Sequence, residues 1–323
     1  MAPTLSEIMK LKGDGQEMEK AVIADLLRNS KLLQLAPIKS VPGLKVTGTR
    51  WQTLPASGTR ALNAAWTPST GTVEQTSETL HIYGGEITVD YVATKDKTLV
   101  EDPLTIQTKM KVESMAYKFS TDFILGDHAT DPFGFEGLRK RVSNLTSRMT
   151  VDLGTSSGTV TLKALADAAS EHAFLDGLHQ LVHVTGANAL LMNENTYLKF
   201  GAVLRRLGLL NTTQDNFGRK WDMFGDAKLV DVGLQADQST EIISNALYAD
   251  AVGSEIFGVR WGGDDGLAVI QLDGTSTDPR DPTNGAELQT TPAYMRRIDW
   301  VIGLRNAGRY AIGVMKGFKM AAS

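Results

Sequence analysis

Apolar residues recur at helical spacing most persistently between Glu101 and Asp127. There Val112, Met115, Ala116, Phe119 and Phe123 follow one another at intervals of three, one, three and four, and so share one face. Lys109, Glu113, Lys118 and Asp122 fall largely off that face, which predicts a helix buried along a single stripe. Both ends are marked. Glu101 and Asp102 suit the positive N-terminal pole, Pro103 suits a first turn where a missing N–H costs nothing, and Gly126 stands where a C-terminal cap belongs. At about 1.5 Å of rise per residue, roughly 24 helical residues reach about 36 Å, the length of a spine on which other segments lie.

A second helical pattern, EMEKAVIADLLRNSKLLQL (17–35), places Met18, Val22, Leu26 and Leu33 near one line, and Pro37 ends it. Taken as a lone helix it has nothing beneath it, and the expectation is that it lies on a neighbouring copy rather than on its own body. From Leu44 to Thr94 the period changes to two. LKVTGTRWQTL and ETLHIYGGEITVDYVAT alternate, with the turn-rich PASGTRALNAAWTPSTGT between them, so a long two-stranded excursion is expected. An isolated hairpin is marginal in water and carries open backbone edges. It therefore needs a partner surface, as do Trp51 and Trp66 near its outer part.

Beyond the spine, HATDPFGFEGLRKRV predicts a tight turn at Asp131, Pro132, Gly134 and Gly137, docked by Phe133, Phe135 and Leu138. Residues 139–160 are polar and turn-rich, a connection between units. The stretch 161–207 reads as α/β: a helix TLKALADAASEHAFLDGLHQLVH with Thr161 as N-cap, a buried strand ANALLMN, and a helix ENTYLKFGAVLRRLG. AKLVDVG and ALYADAV add strand-like segments, giving a second unit from about 145 to 253. EIFGVRWGGDDGLAVIQLDG and YMRRIDWVIGLRNAGRYAIGVMKGF read as long strands with turns that return to the spine. The polar loop TSTDPRDPTNGAELQTT separates them.

Composition narrows the function classes. With 323 residues, 42% hydrophobic and 22% charged, the chain has the balance of a globular protein with two or more packed units. A formal charge of −4 argues against a surface built mainly to neutralise phosphates. The absence of cysteine removes disulfides, thiolate nucleophiles and thiolate metal sites. The first residues lack the apolar core of a signal peptide and no apolar run is long enough for a membrane span, so a soluble chain made in the cytoplasm is expected.

Candidate chemistry is sparse. Gly154-Thr155-Ser156-Ser157-Gly158 fits G-x-S-x-G, but Thr159 and Val160 delay the helix that a nucleophile elbow needs, and the stretch reads as a linker. His179 and His183 are one turn apart without the glutamate of H-E-x-x-H, and read as half-buried helix histidines. Gly262-Gly263-Asp264-Asp265-Gly266 lacks calcium-loop spacing and reads as a hairpin turn. No nucleotide-binding glycine motif occurs. Arg139, Lys140, Arg141 and Arg148, and separately Arg205 and Arg206, are basic clusters that suit either weak contact with nucleic acid or ordinary ion pairing. No catalytic, cofactor-binding or metal-binding residue is assigned.

This order of parts resembles the major capsid proteins of tailed bacteriophages, with the Hong Kong 97-like fold. It is carried by the arm at 17–35, the hairpin at 44–95, the spine closed by ILGD and DPFGFEGL, the unit containing HVTGANALLMNENTYLKF, and the strand RRIDWVIGL. The resemblance implies an α+β chain with an N-terminal arm (1–43), an extended loop (44–95), a peripheral domain (96–144 and 254–311) and an axial domain (145–253 and 312–323). It further implies a non-enzymatic shell subunit that forms hexamers and pentamers around phage DNA in a virion. Scaffolding, portal and cement proteins are its expected partners, its contact with DNA is weak, and no cofactor is involved. Arg50, Trp51, Arg60 and Trp66 are the expected assembly contacts, and Val112, Met115, Phe119 and Phe123 the spine core.

Two departures matter. Some members cross-link through a lysine of the extended loop, whereas residues 46–94 contain none, so non-covalent or cemented shells are expected. Some also carry a scaffold-like N-terminal domain, whereas here only about 40 residues precede the hairpin. A separate scaffold or a processed precursor would fill that role, with Met1 weighing against processing. An encapsulin-type compartment shell shares the fold, and a cytoplasmic α/β hydrolase with an unusual lid is the remaining alternative.

Overall fold

The computed structural model describes residues 3–11, 17–95, 102–143, 147–153, 163–164, 168–214, 218–246, 253–273, 279–283, 285–288 and 291–320. In chain order, α1 (Leu5–Leu11), α2 (Glu17–Asn29) and α3 (Lys31–Leu35) lead into β1 (Ile38–Val41). A hairpin of β2 (Lys45–Thr53) and β3 (Thr72–Thr79) follows, then β4 (His81–Asp90), α4 (Tyr91–Lys95), α5 (Pro103–Leu125) and α6 (Leu138–Ser143). After a 3₁₀ turn at Ser147–Met149 come β5 (Thr150–Asp152), β6 (Lys163–Ala164), α7 (Ala168–Thr185), β7 (Ala189–Met192) and α8 (Glu194–Leu207). The chain closes with β8 (Asn211–Gln214), β9 (Lys220–Phe224), β10 (Ala227–Asp231), β11 (Ser254–Val259), β12 (Leu267–Leu272), β13 (Ala293–Asn306) and β14 (Ile312–Met320).

The spine, α5, begins at Asp102, whose carboxylate accepts the Thr105 N–H, with Pro103 in the first turn. It ends because Gly126 lies so close to the next turn that a Cβ would fall 2.4 Å from the Phe135 carbonyl oxygen. Its φ of −49° is open to any residue, so closeness and not a left-handed backbone demands glycine here. Val112, Met115, Ala116, Phe119 and Phe123 are all buried. The Phe119 ring meets those of Phe123, Phe135 and Trp300 at centroid distances of 6.0, 6.0 and 5.8 Å. Asp122, read from the sequence as off the stripe, is buried too, because it serves a hydrogen bond described below.

Two sheets flank this spine. The first has the order β1-β12-β13-β4, with β1 parallel to β12 and the other pairs antiparallel. The second runs β5-β14-β11-β7-β10-β9-β8, with β6 beside β14. Helices α7 and α8 cover one face of it through Phe174, Leu178, Phe200 and Leu204, which pack with Leu190, Ile256 and Met315. Its other face contributes Leu191, Val230, Phe257 and Val314 to the core around α2, α5 and the first sheet. Helix α8 is specified at both ends. Asn193 accepts the Thr196 N–H at its start, and Gly208 takes the left-handed conformation (φ 68°) after its last turn.

Several expectations are corrected. The N-terminal helix folds onto its own body: Val22, Ile23, Leu26 and Leu27 are buried, α2 packs on α5, and the Ser30 and Ser120 hydroxyls lie 2.9 Å apart. The stripe of α2 is therefore matched by a second apolar face of the spine. The alternating stretch 78–94 is not one strand, since β3 pairs with β2 while β4 pairs with β13 from His81↔Ile302 to Asp90↔Ala293. Alternation fixes a strand and not its partner, so residues 81–90, read as extended loop, belong to the first sheet. Residues 91–95 are helical. Strand β11, read with the peripheral part, lies in the second sheet between β14 and β7. Phe133, expected to dock its turn, is 84% exposed, whereas Phe135 and Leu138 are buried. Thr161 and residues 247–252 of ALYADAV lie outside the described residues.

Candidate assembly surface

The hairpin leaves the body after a small root cluster of Val41, Leu80, Ile270 and Val301, with Val46 and Leu272 packed against it. At the root the Leu80 N–H donates to the Leu44 carbonyl at 2.8 Å. From there β2 and β3 run as a two-stranded ribbon in which Arg50 faces Glu74 across the strands at 2.8 Å, Trp51 faces Val73, and the Thr53 and Thr72 hydroxyls meet at 2.6 Å. The loop 54–71 is exposed throughout.

Within that loop, Arg60 lies 5.5 Å from the centre of the Trp66 ring and donates to the Ala64 carbonyl at 3.0 Å, so cation and indole form one unit. Trp51 is 72% exposed, Trp66 63% and Leu62 92%, and Leu54 and Val73 are exposed as well. Arg50 and Trp51 are adjacent along one strand and so point to opposite faces of the ribbon. The result is a projecting apolar surface, with the Arg60 guanidinium held against Trp66 in its loop, that none of the described residues covers.

The basic clusters are paired internally. Arg139 donates to Glu255 at 3.0 Å, Lys140 to Asp127 at 3.1 Å, Arg141 to Glu78, and Arg206 to Glu171. Arg148 lies 5.9 Å from the Tyr310 ring. Most of that charge is therefore spent within the fold. Arg205 is exposed.

Among the described residues, the remaining candidate chemistry does not assemble into a site. G-T-S-S-G lies outside the described residues. His179 and His183 are both exposed rather than half-buried, and the His179 ring lies 4.7 Å from that of Phe224. Among the described residues, no group of three His, Asp or Glu side chains is placed to hold a metal ion. The Gly262–Gly266 segment is a tight turn, but it joins β11 to β12, strands of different sheets, and Asp264 pairs with Lys39 at 2.6 Å. No helix among the described residues is long and apolar enough to cross a membrane.

Sequence reasoning missed a polar node under the spine. The Tyr83 hydroxyl donates to Asp122 at 2.6 Å, and Lys118 donates to Asp122 at 3.0 Å and to Asp131 at 3.3 Å. The one available signal was an aspartate set between Phe119 and Phe123 on a helix whose neighbours are core. Burial, with the Asp122 charge beside it, holds the Tyr83 hydroxyl above its ordinary pKa of 10. Burial pulls Lys118 down, but its contacts with Asp122 and Asp131 outweigh this and leave it raised. Groups whose folded pKa is raised contribute stability that is complete below the unfolded value and lost as pH rises through the folded one. The node therefore weakens the fold from about pH 10 upward. Tyr83→Phe is expected to cost about 1–3 kcal/mol at neutral pH and to flatten that alkaline loss, as read by chemical melts from pH 7 to 11.

Residues 15–161 match the family model for the major capsid protein GP7. No curated protein matches the sequence. Among solved structures, the capsid of an empty GTA particle is similar at 18% identity, with a TM-score of 0.56 over 91% of this chain and 90% of that one. The structure for Mycobacterium phage Bobi is similar at 10% identity, with a TM-score of 0.56 over 91% of each chain. The SrpI encapsulin of Synechococcus elongatus is similar at 13% identity, with a TM-score of 0.61 over 89% of this chain and 87% of that one. Residues 15–161, a little under half of the chain, thus match a major capsid family, and the chain as a whole has the Hong Kong 97-like fold of these shell structures.

Proposed function

We propose that this chain is a major capsid protein that builds the icosahedral head of a tailed phage around packaged DNA, and that the hairpin is the segment by which each copy holds its neighbours. The observation that carries this is the ribbon with its loop 54–71, which projects Trp51, Leu62 and Trp66 beyond the body, uncovered by any of the described residues. Burying such surface against identical copies removes it from water, and one chain touching several others turns modest contacts into a stable closed shell. In this reading Arg50, Trp51, Arg60 and Trp66 are assembly contacts. The spine with the first sheet forms the peripheral domain, and the second sheet with α7 and α8 forms the axial domain around fivefold and sixfold axes.

The role is structural rather than catalytic. Scaffolding, portal and cement proteins complete the particle, which is assembled in the host cytoplasm, and contact with DNA is weak because most of the clustered arginines are already paired. The similarity to an encapsulin favours a second reading, a compartment filled with protein, while the family match over residues 15–161 supports the phage head. Negative-stain images of the purified protein should show closed particles of uniform diameter. Particles purified from the native source should protect DNA from nuclease. A lone molecule at high concentration would end the shell reading, and shells holding protein without DNA would replace the head by the compartment.

A further inference from the structure

The root of the hairpin is held by an arrangement richer than an ordinary surface ion pair. Arg141, on α6, donates through Nη1 and Nη2 to the two carboxylate oxygens of Glu78 on β3, at 2.5 and 2.8 Å. Its Nη2 also donates to the Leu304 carbonyl of β13 at 3.1 Å, and its Nε to the Glu136 carbonyl at 2.8 Å. One guanidinium thus ties the ribbon, the first sheet and the turn after the spine together. The two side chains are only 11% and 22% exposed, so the pair is shielded from water and salt.

Two further arginines flank the same ribbon. The Arg305 guanidinium runs beside Gly48, and Arg309 donates through Nη1 to the Gln52 carbonyl at 2.6 Å. Neither grips the ribbon as Arg141 does, and Arg309 is exposed, so each adds little to holding it.

We infer that Arg141 is a positioning residue for assembly: its clamp on Glu78 fixes the direction in which the hairpin leaves the body, before any neighbour is met. The leverage is large. From Glu78 to Thr72 the ribbon runs about 20 Å, so a rotation of about 10° at the root moves its far end by about 3.5 Å, enough to misplace a docking contact. Prepaying that order in the free subunit lowers the entropic cost of docking. The inference rests on the hairpin being the docking segment only for its purpose. The aim itself is a property of the single subunit.

The absence of cysteine makes a clean test possible. Spin labels are placed at Ala65→Cys in the loop and Gln107→Cys on the exposed side of α5, and their distance distribution is measured in unassembled subunits. The clamped chain should give one narrow distribution, and Arg141→Gln should at least double its width. Should Arg141→Gln fail to fold, Glu78→Gln removes the charge from the ribbon side and should broaden the distribution in the same sense. A broad distribution in the unmutated chain, or an unchanged one in every folded variant, overturns the inference. Since no particle is needed for this measurement, its outcome is separate from whether the hairpin docks.

Discussion

Deleting residues 54–71 and joining Thr53 to Thr72 through an Asn-Gly turn should leave a cooperatively melting subunit that forms no particles. The join is geometrically mild, because these two residues already face each other at the end of the ribbon and a two-residue turn suits antiparallel strands. The excised loop is exposed throughout, so its removal should shift stability by no more than about 1 kcal/mol. Sedimentation and negative stain read the outcome, and shells of normal size and yield would refute the role given to the hairpin. A wider excision of residues 50–80 is a poorer experiment. It removes Leu80 from the root cluster and Glu78 from its pairing with Arg141, so it would confound docking with folding.

Replacing Phe119 and Phe123 together by Asp should abolish folding altogether. Both rings are fully buried, and Phe119 stands where Phe123, Phe135 and Trp300 meet. Truncating one such ring costs about 3–5 kcal/mol, and burying an unpaired carboxylate costs more, against a total stability of about 5–15 kcal/mol. Circular dichroism should show no cooperative transition. Met110→Asp, on the exposed side of the same helix, should melt like the parent chain. A soluble double mutant with a sharp melt would mean that α5 is not the core of the subunit.

How far the fold was legible in the sequence depended on whether the deciding contact was local. The spine is written in its own period, with Asp102, Pro103 and Gly126 marking its limits, and α8 is announced by Asn193 and Gly208. What the sequence hid was pairing at a distance. Alternation from Glu78 to Thr94 looked continuous, but Leu80 divides it between two partners, β2 and β13, that lie on opposite sides of it in the chain. The seat of α2 was hidden for the same reason, because the face it needs belongs to residues near Ser120.

The candidate surface was legible as a surplus. Trp51 on a two-stranded excursion and Trp66 in its turn-rich loop have no local means of burial, and the structure leaves both exposed. The supporting charges were not legible. Arg139, Lys140 and Arg141 form a run in the sequence, yet each turns to a different carboxylate, on Glu255, Asp127 and Glu78 respectively. A cluster in sequence is a statement about neighbours along the chain, and ion pairing is decided by neighbours in space. Asp122 shows the converse, an acidic residue whose helical position suggested solvent and whose partner, Tyr83, comes from another element.

Strand β1 pairs in register with β12, Ile38 opposite Val269, so the first sheet joins the beginning of the chain to a segment near its end. A ribosome must therefore reach β12 before β1 finds its strand partner, even though α2 can already seat on α5, and topologies of this kind mature slowly. During that interval the nascent chain carries an unpaired β1 edge together with its apolar projection, and it is most adhesive while still incomplete. Synthesis in a crowded cell thus sets a kinetic demand on this chain that its finished form does not reveal, and slowing translation or supplying a holding chaperone should raise the yield of competent molecules.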